Sequence, residues 1–255
     1  LDLVTTYVPR LVPDAMKLDS ELSEHLVTPA ALRDYDARVI AAVSDQKVFA
    51  TAAATARKRT ELSMLVDAYR SAKLADGVMD FSDQMAWGAQ LAMLPEVRES
   101  MLEKYDVVLL DEYQDTSVAQ RDLLVGLFKG LPVTAVGDPA QGIYGWRGAA
   151  TGNLEDFLDD FTIDGVPGER LTLRQTYRCR PEIIGAANSI ISAFYEDAKV
   201  TRSVEPLTSG KDPGGTVEVS LHSTVSQEIR AMVRQIEEIR DAGVIPLRSV
   251  AILVR

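Results

Sequence analysis

The spacing of apolar residues changes character along the chain, and each change marks an element. Residues 1–28 carry Pro9 and Pro13 among mixed polar residues and show no strong periodicity. Helices are predicted at about Ala30 to Val43, Gln46 to Leu74 and Ser82 to Leu94, where Ala, Leu, Arg and Lys dominate and internal Pro is absent. Val107 to Leu110 is apolar with no polar alternation, which suits a strand buried on both faces of a helix-covered parallel sheet. Ser117 with Gln120 three residues on forms a capping box, and Leu123, Leu124, Leu127 and Phe128 supply the stripe of the helix it opens. Gly130 offers its stop. A second strand follows at Val133 to Val136. A helix from Pro181 to about Tyr195 is expected to bury Ile183, Ala187, Ile190 and Phe194. Thr201 to Gly215 is rich in Pro, Gly and Ser and reads as a linker. Beyond it the pattern predicts a βαβ unit: a strand at Thr216 to Leu221, a helix from Val225 to Asp241 capped by Thr224 and Gln227, and a strand at Ser249 to Val254.

Candidate chemistry gathers where the first strand ends. Asp111, Glu112 and Asp115 surround Tyr113 and Gln114 there. The C-terminal edge of an open α/β sheet is where ligands bind, so one acid can hold a metal and another can act on water. Acids also favour helix N-termini, and on these residues alone the capping reading is equally good. The Ser117 to Gln120 box tips the balance, since it relieves the acids of that duty. The second strand runs into Gly137-Asp138-Pro139-Ala140-Gln141-Gly142-Ile143-Tyr144-Gly145-Trp146-Arg147-Gly148-Ala149. Aromatics in so glycine-rich a loop have little local structure to pack on, which favours a stacking platform for bases. Core packing is the competing use of Trp146.

Three segments taken together carry a family resemblance: Asp111 to Thr116, the 137–149 loop, and Gln175-Thr176-Tyr177-Arg178 with Ala187-Asn188. They resemble motifs II, III and IV of the UvrD/Rep-type superfamily 1 DNA helicases, and Asp80-Phe81-Ser82-Asp83 resembles the short signature that precedes motif II. The resemblance implies an α/β fold with a partial RecA-like, P-loop NTPase-type parallel sheet and an N-terminal helical subdomain. It divides the chain into a 1B-like helical segment (1–78), part of a first motor domain (79–205), a linker (206–215) and the start of a second motor domain (216–255). It further implies ATP and Mg²⁺ as cofactors, with Asp111 holding the metal, Glu112 activating water and Gln141 sensing the γ-phosphate. Tyr177 would lie against adenine, Arg178 would serve as an arginine finger, and Tyr144 and Trp146 would stack on single-stranded DNA. A salt bridge near Pro181 is the bland alternative for Arg178. Arg170, Arg174 and Arg180 are expected to be of that bland kind. Partners implied are single-stranded DNA and duplex junctions, the remainder of a longer helicase chain, and a second helicase-nuclease subunit. Tyr144 to Ala149 with Gly152-Asn153-Leu154 resembles actinobacterial helicase-nuclease subunits of the RecBCD/AddAB type.

A phosphate loop of the pattern Gly-x-x-x-x-Gly-Lys-Ser/Thr is missing from the sequence. Gly210-Lys211 comes nearest, but Asp212 takes the hydroxyl position and Glu205 that of the first Gly. The expectation is an internal piece of a 3′-to-5′ helicase that does not hydrolyse ATP by itself. A non-catalytic helicase-like DNA-binding or scaffolding subunit is the alternative. An unrelated hydrolase built on Asp111 and Glu112 would leave Tyr144, Trp146 and Arg178 without a role. At 255 residues the chain suits one to two domains. A net charge of −11 argues against a protein that coats DNA through a basic face, yet leaves stacking open. Arg57-Lys58-Arg59 reads as a solvated helix face in preference to a DNA contact. Cys179 is the single cysteine, so an internal disulfide is excluded, and with His25 and His222 far apart a His/Cys metal site is not expected. No apolar run of ~20 residues is present. The sequence predicts a cytoplasmic protein without membrane contact.

Overall fold

Small residues recur on one side of the long helix that organises the N-terminal half. Ala53, Ala56, Ser63, Val66 and Lys73 are buried along α3 (Ala50–Asp76), and this face receives α1 (Val8–Glu24) and α2 (Pro29–Val43). The computed structural model describes residues 8–43, 49–150, 152–192, 205–243 and 245–254. Charge as well as apolar area closes the helical layer. Asp36 of α2 is fully buried and accepts two hydrogen bonds from the Arg59 guanidinium of α3, and Arg33 pairs with Asp67 at 2.7 Å. Arg59 therefore has a structural partner in α2, where the sequence suggested a solvated helix face for 57–59.

The helices expected from periodicity are present with small shifts in their ends. The Gln46 start lies partly outside the described residues, and the third helix is α4 (Phe81–Leu91). Three others were not anticipated: α1, which carries Pro13 within it, α5 (Pro95–Lys104), which opens with Pro at its first position, and a helix over Gly152–Asp160.

The first strand, β1 (Val108–Leu110), pairs in parallel with β2 (Val133–Ala135), Val108 opposite Val133 and Leu110 opposite Ala135. Between them α6 (Val118–Phe128) makes the crossover, packed on α4 and α5. The expectation of burial on both faces is corrected. Val108 is buried while Leu109 is 77% exposed, because this two-stranded sheet has one packed face and one open face. After the 137–150 loop, α7 (Gly152–Asp160) returns to the site, and its Phe157 ring meets Tyr113 edge-on at 5.2 Å.

The chain divides into two units, residues 1–173 with 191–206, and residues 174–190 with 207–255. In the second, β3 (Gln175–Thr176) pairs in parallel with β4 (Thr208–Ser209), which lies within the expected linker. The helix α8 (Pro181–Ile190) buries Ile184, not Ile183, Ala187 or Ile190, and Phe194 lies outside the described residues. A polar inward residue explains the rotation: Asn188 lies one turn beyond Ile184, donates to the Leu207 carbonyl at 2.9 Å and accepts from the Leu207 amide. Further on, α9 (Val225–Ala242) starts at Thr224, whose hydroxyl accepts from the Gln227 amide. The two strands expected around it are corrected. Residues 216–221 and 249–254 join no ladder among the described residues, and Val219, Leu221 and Leu253 are at least 94% exposed. Apolar alternation alone cannot hold a strand whose backbone groups find no neighbour.

Candidate nucleotide and nucleic-acid site

At the C-terminal end of β1 the backbone turns sharply. Asp111 accepts the Glu112 amide at 2.9 Å, and Glu112 adopts the left-handed region with φ 53° and ψ 38°. This conformation is uncommon for a residue with a side chain. A short 3-10 turn, Tyr113–Asp115, follows. The next helix is capped by Ser117 and Gln120 in a complete capping box, with the Ser117 hydroxyl accepting the Gln120 amide and the Gln120 side-chain oxygen accepting the Ser117 amide. Neither Asp111 nor Glu112 caps α6, so the competing use of these acids is removed. Both are exposed at the sheet edge.

Beneath them lie two buried side chains. Tyr113 is inaccessible and its hydroxyl has no hydrogen-bond partner among the described residues. Burial, reinforced by Asp160, pushes its ionisation up to about 12. Gln114 is 2% exposed. Its amide donates to the Glu112 carboxylate at 2.7 Å and to Asp115 at 3.4 Å, while its carbonyl oxygen accepts the Asp138 amide at 3.0 Å. The acidic end of β1 and the glycine-rich loop are thus joined by one buried side chain. A cleft of about 370 Å³ opens beside Glu112, lined also by Asp115, Thr116 and Gln120. Asp115 contributes to this region a buried carboxylate oxygen that nothing else satisfies.

The 137–150 loop is strapped down at both ends. At its start Gly137 lies so close to Gln114 that a Cβ would stand 2.9 Å from the side-chain oxygen. At its end the Ala150 amide donates to the Thr116 carbonyl at 3.0 Å. Buried Asn153 adds donations to the Thr116 carbonyl and hydroxyl and to the Ser117 carbonyl. Gly148 combines φ 85° with a place where a Cβ would meet Glu24 at 2.7 Å, so no other residue fits. Asp138 caps the short turn Pro139–Gln141, and the Gln141 amide donates to its carboxylate at 2.8 Å. Between the straps stand the aromatics. Trp146 is 63% exposed and Tyr144 is 36% exposed, with ring centroids 6.3 Å apart. Core packing is therefore not the use of Trp146. The Arg147 guanidinium lies over the Trp146 ring at 4.5 Å and near Tyr144 at 5.3 Å.

Asp80 and Asp83 form a reciprocal capping box at the start of α4. Lys73 is 8% exposed and inserts between them and Asp19 of α1, with contacts of 2.7 to 2.8 Å. Burial alone would lower the Lys73 ionisation, but hydrogen bonds to Asp19, Asp80 and Asp83 raise it. Burial alone would raise Asp80, but the bond and charge of Lys73 together with the Asp83 and Ser82 backbone amides outweigh it and lower the carboxyl. These three carboxylates approach one another closely enough to suggest a cation site, and the Lys73 ammonium already stands among them as their counter-charge. In the sequence Asp80, Asp83, Gln114 and Asn153 stood out only as parts of motifs, with no role assigned to them, and Asp19 and Lys73 were passed over.

In the second unit Tyr177 is 67% exposed, and its hydroxyl donates to Gln175 at 3.1 Å. Arg178 is exposed, its carbonyl accepting from Lys211 at 3.0 Å, and its guanidinium forms no ion pair among the described residues. Arg180 by contrast holds the Asp212 and Pro213 carbonyls, the bland role expected of it. Gly210 continues the β3–β4 ladder through its amide, which donates to Thr176 at 2.8 Å.

Known proteins share this arrangement of sequence. The UvrD/REP helicase N-terminal domain family matches residues 4–162. The chain belongs to the UvrD/REP helicase family. It is 27% identical over 253 residues to DNA helicase II of Rickettsia typhi, covering 96% of this chain and 36% of that protein. It is 29% identical to ATP-dependent DNA helicase UvrD1 of Mycobacterium tuberculosis, covering 99% and 30%. An ATP-dependent helicase/nuclease subunit of Lactococcus lactis is 28% identical over 73% of this chain and 18% of its own length. The chain thus spans about a third or less of the relatives it matches. No helix among the described residues is long and apolar enough to cross a membrane.

Proposed function

We propose that this chain forms part of the motor of an ATP-dependent DNA helicase that translocates 3′ to 5′ on single-stranded DNA and unwinds duplex. In this reading residues 79–205 belong to a first RecA-like domain, 216–255 open a second, and 1–78 are the 1B-like helical segment; residues 174–190, with Tyr177 and Arg178, group instead with 207–255. One observation carries the reading. Two exposed carboxylates stand at the end of a parallel strand, free of helix capping, and one of them, Glu112, is tied by Gln114 to a strapped loop that displays Gln141, Tyr144 and Trp146. Family membership and the shared wording with helicase II, UvrD1 and helicase/nuclease subunits add support.

The donor set fits magnesium, a hard cation that takes carboxylate oxygens and keeps several waters. Asp111 would hold it, and the unsatisfied Asp115 oxygen near Glu112 marks a place where a water or cation is wanted. When bound, the ion supplies neutralisation of the charge on the transferring phosphoryl group. Glu112 orients and deprotonates the attacking water. Gln141 reports on the terminal phosphate, Tyr177 lies against the base, and Arg178 stabilises developing charge. Tyr144 and Trp146 stack on successive bases, which suits a protein of net charge −11 because stacking needs few phosphate contacts.

The test uses the full-length protein that contains this chain. Its ATP turnover should rise on adding single-stranded DNA, and Trp146→Ala should weaken single-strand affinity by about 1 to 3 kcal/mol at unchanged melting temperature. Turnover indifferent to DNA, or a Trp146→Ala variant that melts early yet binds normally, contradicts the reading.

A further inference from the structure

Glu112 is a flexible, exposed side chain on a left-handed backbone, and nothing in its own element fixes the direction of its carboxylate. What fixes it is Gln114. The Gln114 side chain is buried to 2% exposure, and both ends of its amide are used. The nitrogen donates to Glu112 at 2.7 Å and the oxygen accepts the Asp138 backbone amide at 3.0 Å. Gly137 leaves no room for the amide to swing toward β2, since even a methyl there would sit 2.9 Å from its oxygen. From Asp138 the connection continues through its carboxylate to the Gln141 side-chain amide at 2.8 Å. Hydrogen bonds to an ionised acceptor are shorter and stronger than neutral ones, so this bond selects one Glu112 rotamer.

We propose that Gln114 is a positioning residue for hydrolysis: it aims the Glu112 carboxylate and couples that aim to the loop bearing Gln141. The proposal rests on the reading of Glu112 as the group that activates water. Loop displacement at Gln141, Tyr144 or Trp146 then reaches Glu112 through the Asp138 amide and one buried side chain.

Two variants of the full-length protein test it. Gln114→Glu keeps the size and the acceptor for the Asp138 amide but offers Glu112 no donor. Gln114→Met removes both bonds at similar volume. Each should lower kcat for ATP by about 100-fold, the cost of a small misplacement of a reacting group, while KM and equilibrium nucleotide affinity stay within about twofold. A residue that only anchors the loop would let Gln114→Glu keep its kcat, because the anchoring bond survives. Glu112→Gln, run beside them, separates the two levels of the account. If Glu112→Gln abolishes turnover while both Gln114 variants turn over normally, the positioning role is wrong and the reading of Glu112 stands. If Glu112→Gln turns over normally, the reading of Glu112 falls and the proposal falls with it.

Discussion

Glu112 holds a left-handed backbone, a conformation that costs a residue with a side chain about 1 to 3 kcal/mol. Its neighbours over-determine it: the Tyr113 amide donates to the Val136 carbonyl, the Glu112 amide donates to Asp111, and Gln114 grips its carboxylate. Strain of this kind concentrates at functional sites, and here it sets an acid at the sheet edge. The tight fit of Gly137 against Gln114 gives a test that needs no substrate. Gly137→Ala should lower stability by about 1 to 3 kcal/mol, the usual cost of overpacking, read as a lower urea midpoint. An unchanged midpoint would mean the Gln114 amide is free to move. At this scale the sequence revealed the exposed residues well. Asp111, Glu112, Tyr144 and Trp146 stand out by type and context, whereas Gln114 acts by being buried, and burial of a single Gln leaves no periodic trace.

Among the elements, α1 escaped the sequence reading although Leu11, Val12, Ala15, Met16 and Leu22 recur at helical spacing, because Pro13 lies inside it and argues against a helix. Its buried positions include Asp19 and Ser23 beside Leu22. Lys73 and Arg70 of α3 explain the buried acid: Lys73 reaches Asp19, Asp80 and Asp83, and Arg70 bonds Asp19 at 2.5 Å. Helices α1, α3 and α4 are held together at this point. Removing one partner of a buried charged cluster leaves the others uncompensated, so Lys73→Met should cost about 3 kcal/mol. The pH dependence has a definite sign. Asp80 is lowered from its ordinary 3.8, so its contribution is present above that value and is lost as pH falls through its folded value. Lys73 is raised from 10.5, so its contribution is present below that pH and is lost as pH rises through its folded value. Urea midpoints of wild type and Lys73→Met should therefore differ most between these limits and converge below pH 3.8. A difference that persists undiminished in strong acid would contradict this assignment. The capping box at Ser117 and the cap at Thr224 were legible because they use fixed spacings, and the strands at 216–221 and 249–254 were misjudged because alternation says nothing about whether a pairing partner exists.

For the whole molecule, the two units carry different parts of the proposed machinery: Asp111, Glu112, Gln141 and Trp146 in one, Tyr177 and Arg178 in the other. The sequence holds no phosphate loop, whose amides and Lys would grip the β- and γ-phosphates. The 255-residue chain by itself should therefore hydrolyse ATP at background rate with or without DNA, and DNA-stimulated turnover by the purified chain would contradict that. In the full-length protein, the most direct measurement pairs equilibrium nucleotide titration with steady-state ATPase rates for Glu112→Gln and Asp111→Asn. Glu112→Gln keeps size and hydrogen-bonding capacity but loses the carboxylate that acts on water. It should bind nucleotide and DNA nearly as wild type while hydrolysis and unwinding fail. Asp111→Asn removes a metal ligand and should weaken magnesium-dependent nucleotide binding as well. Wild-type turnover in Glu112→Gln would contradict the account and return these acids to a structural role.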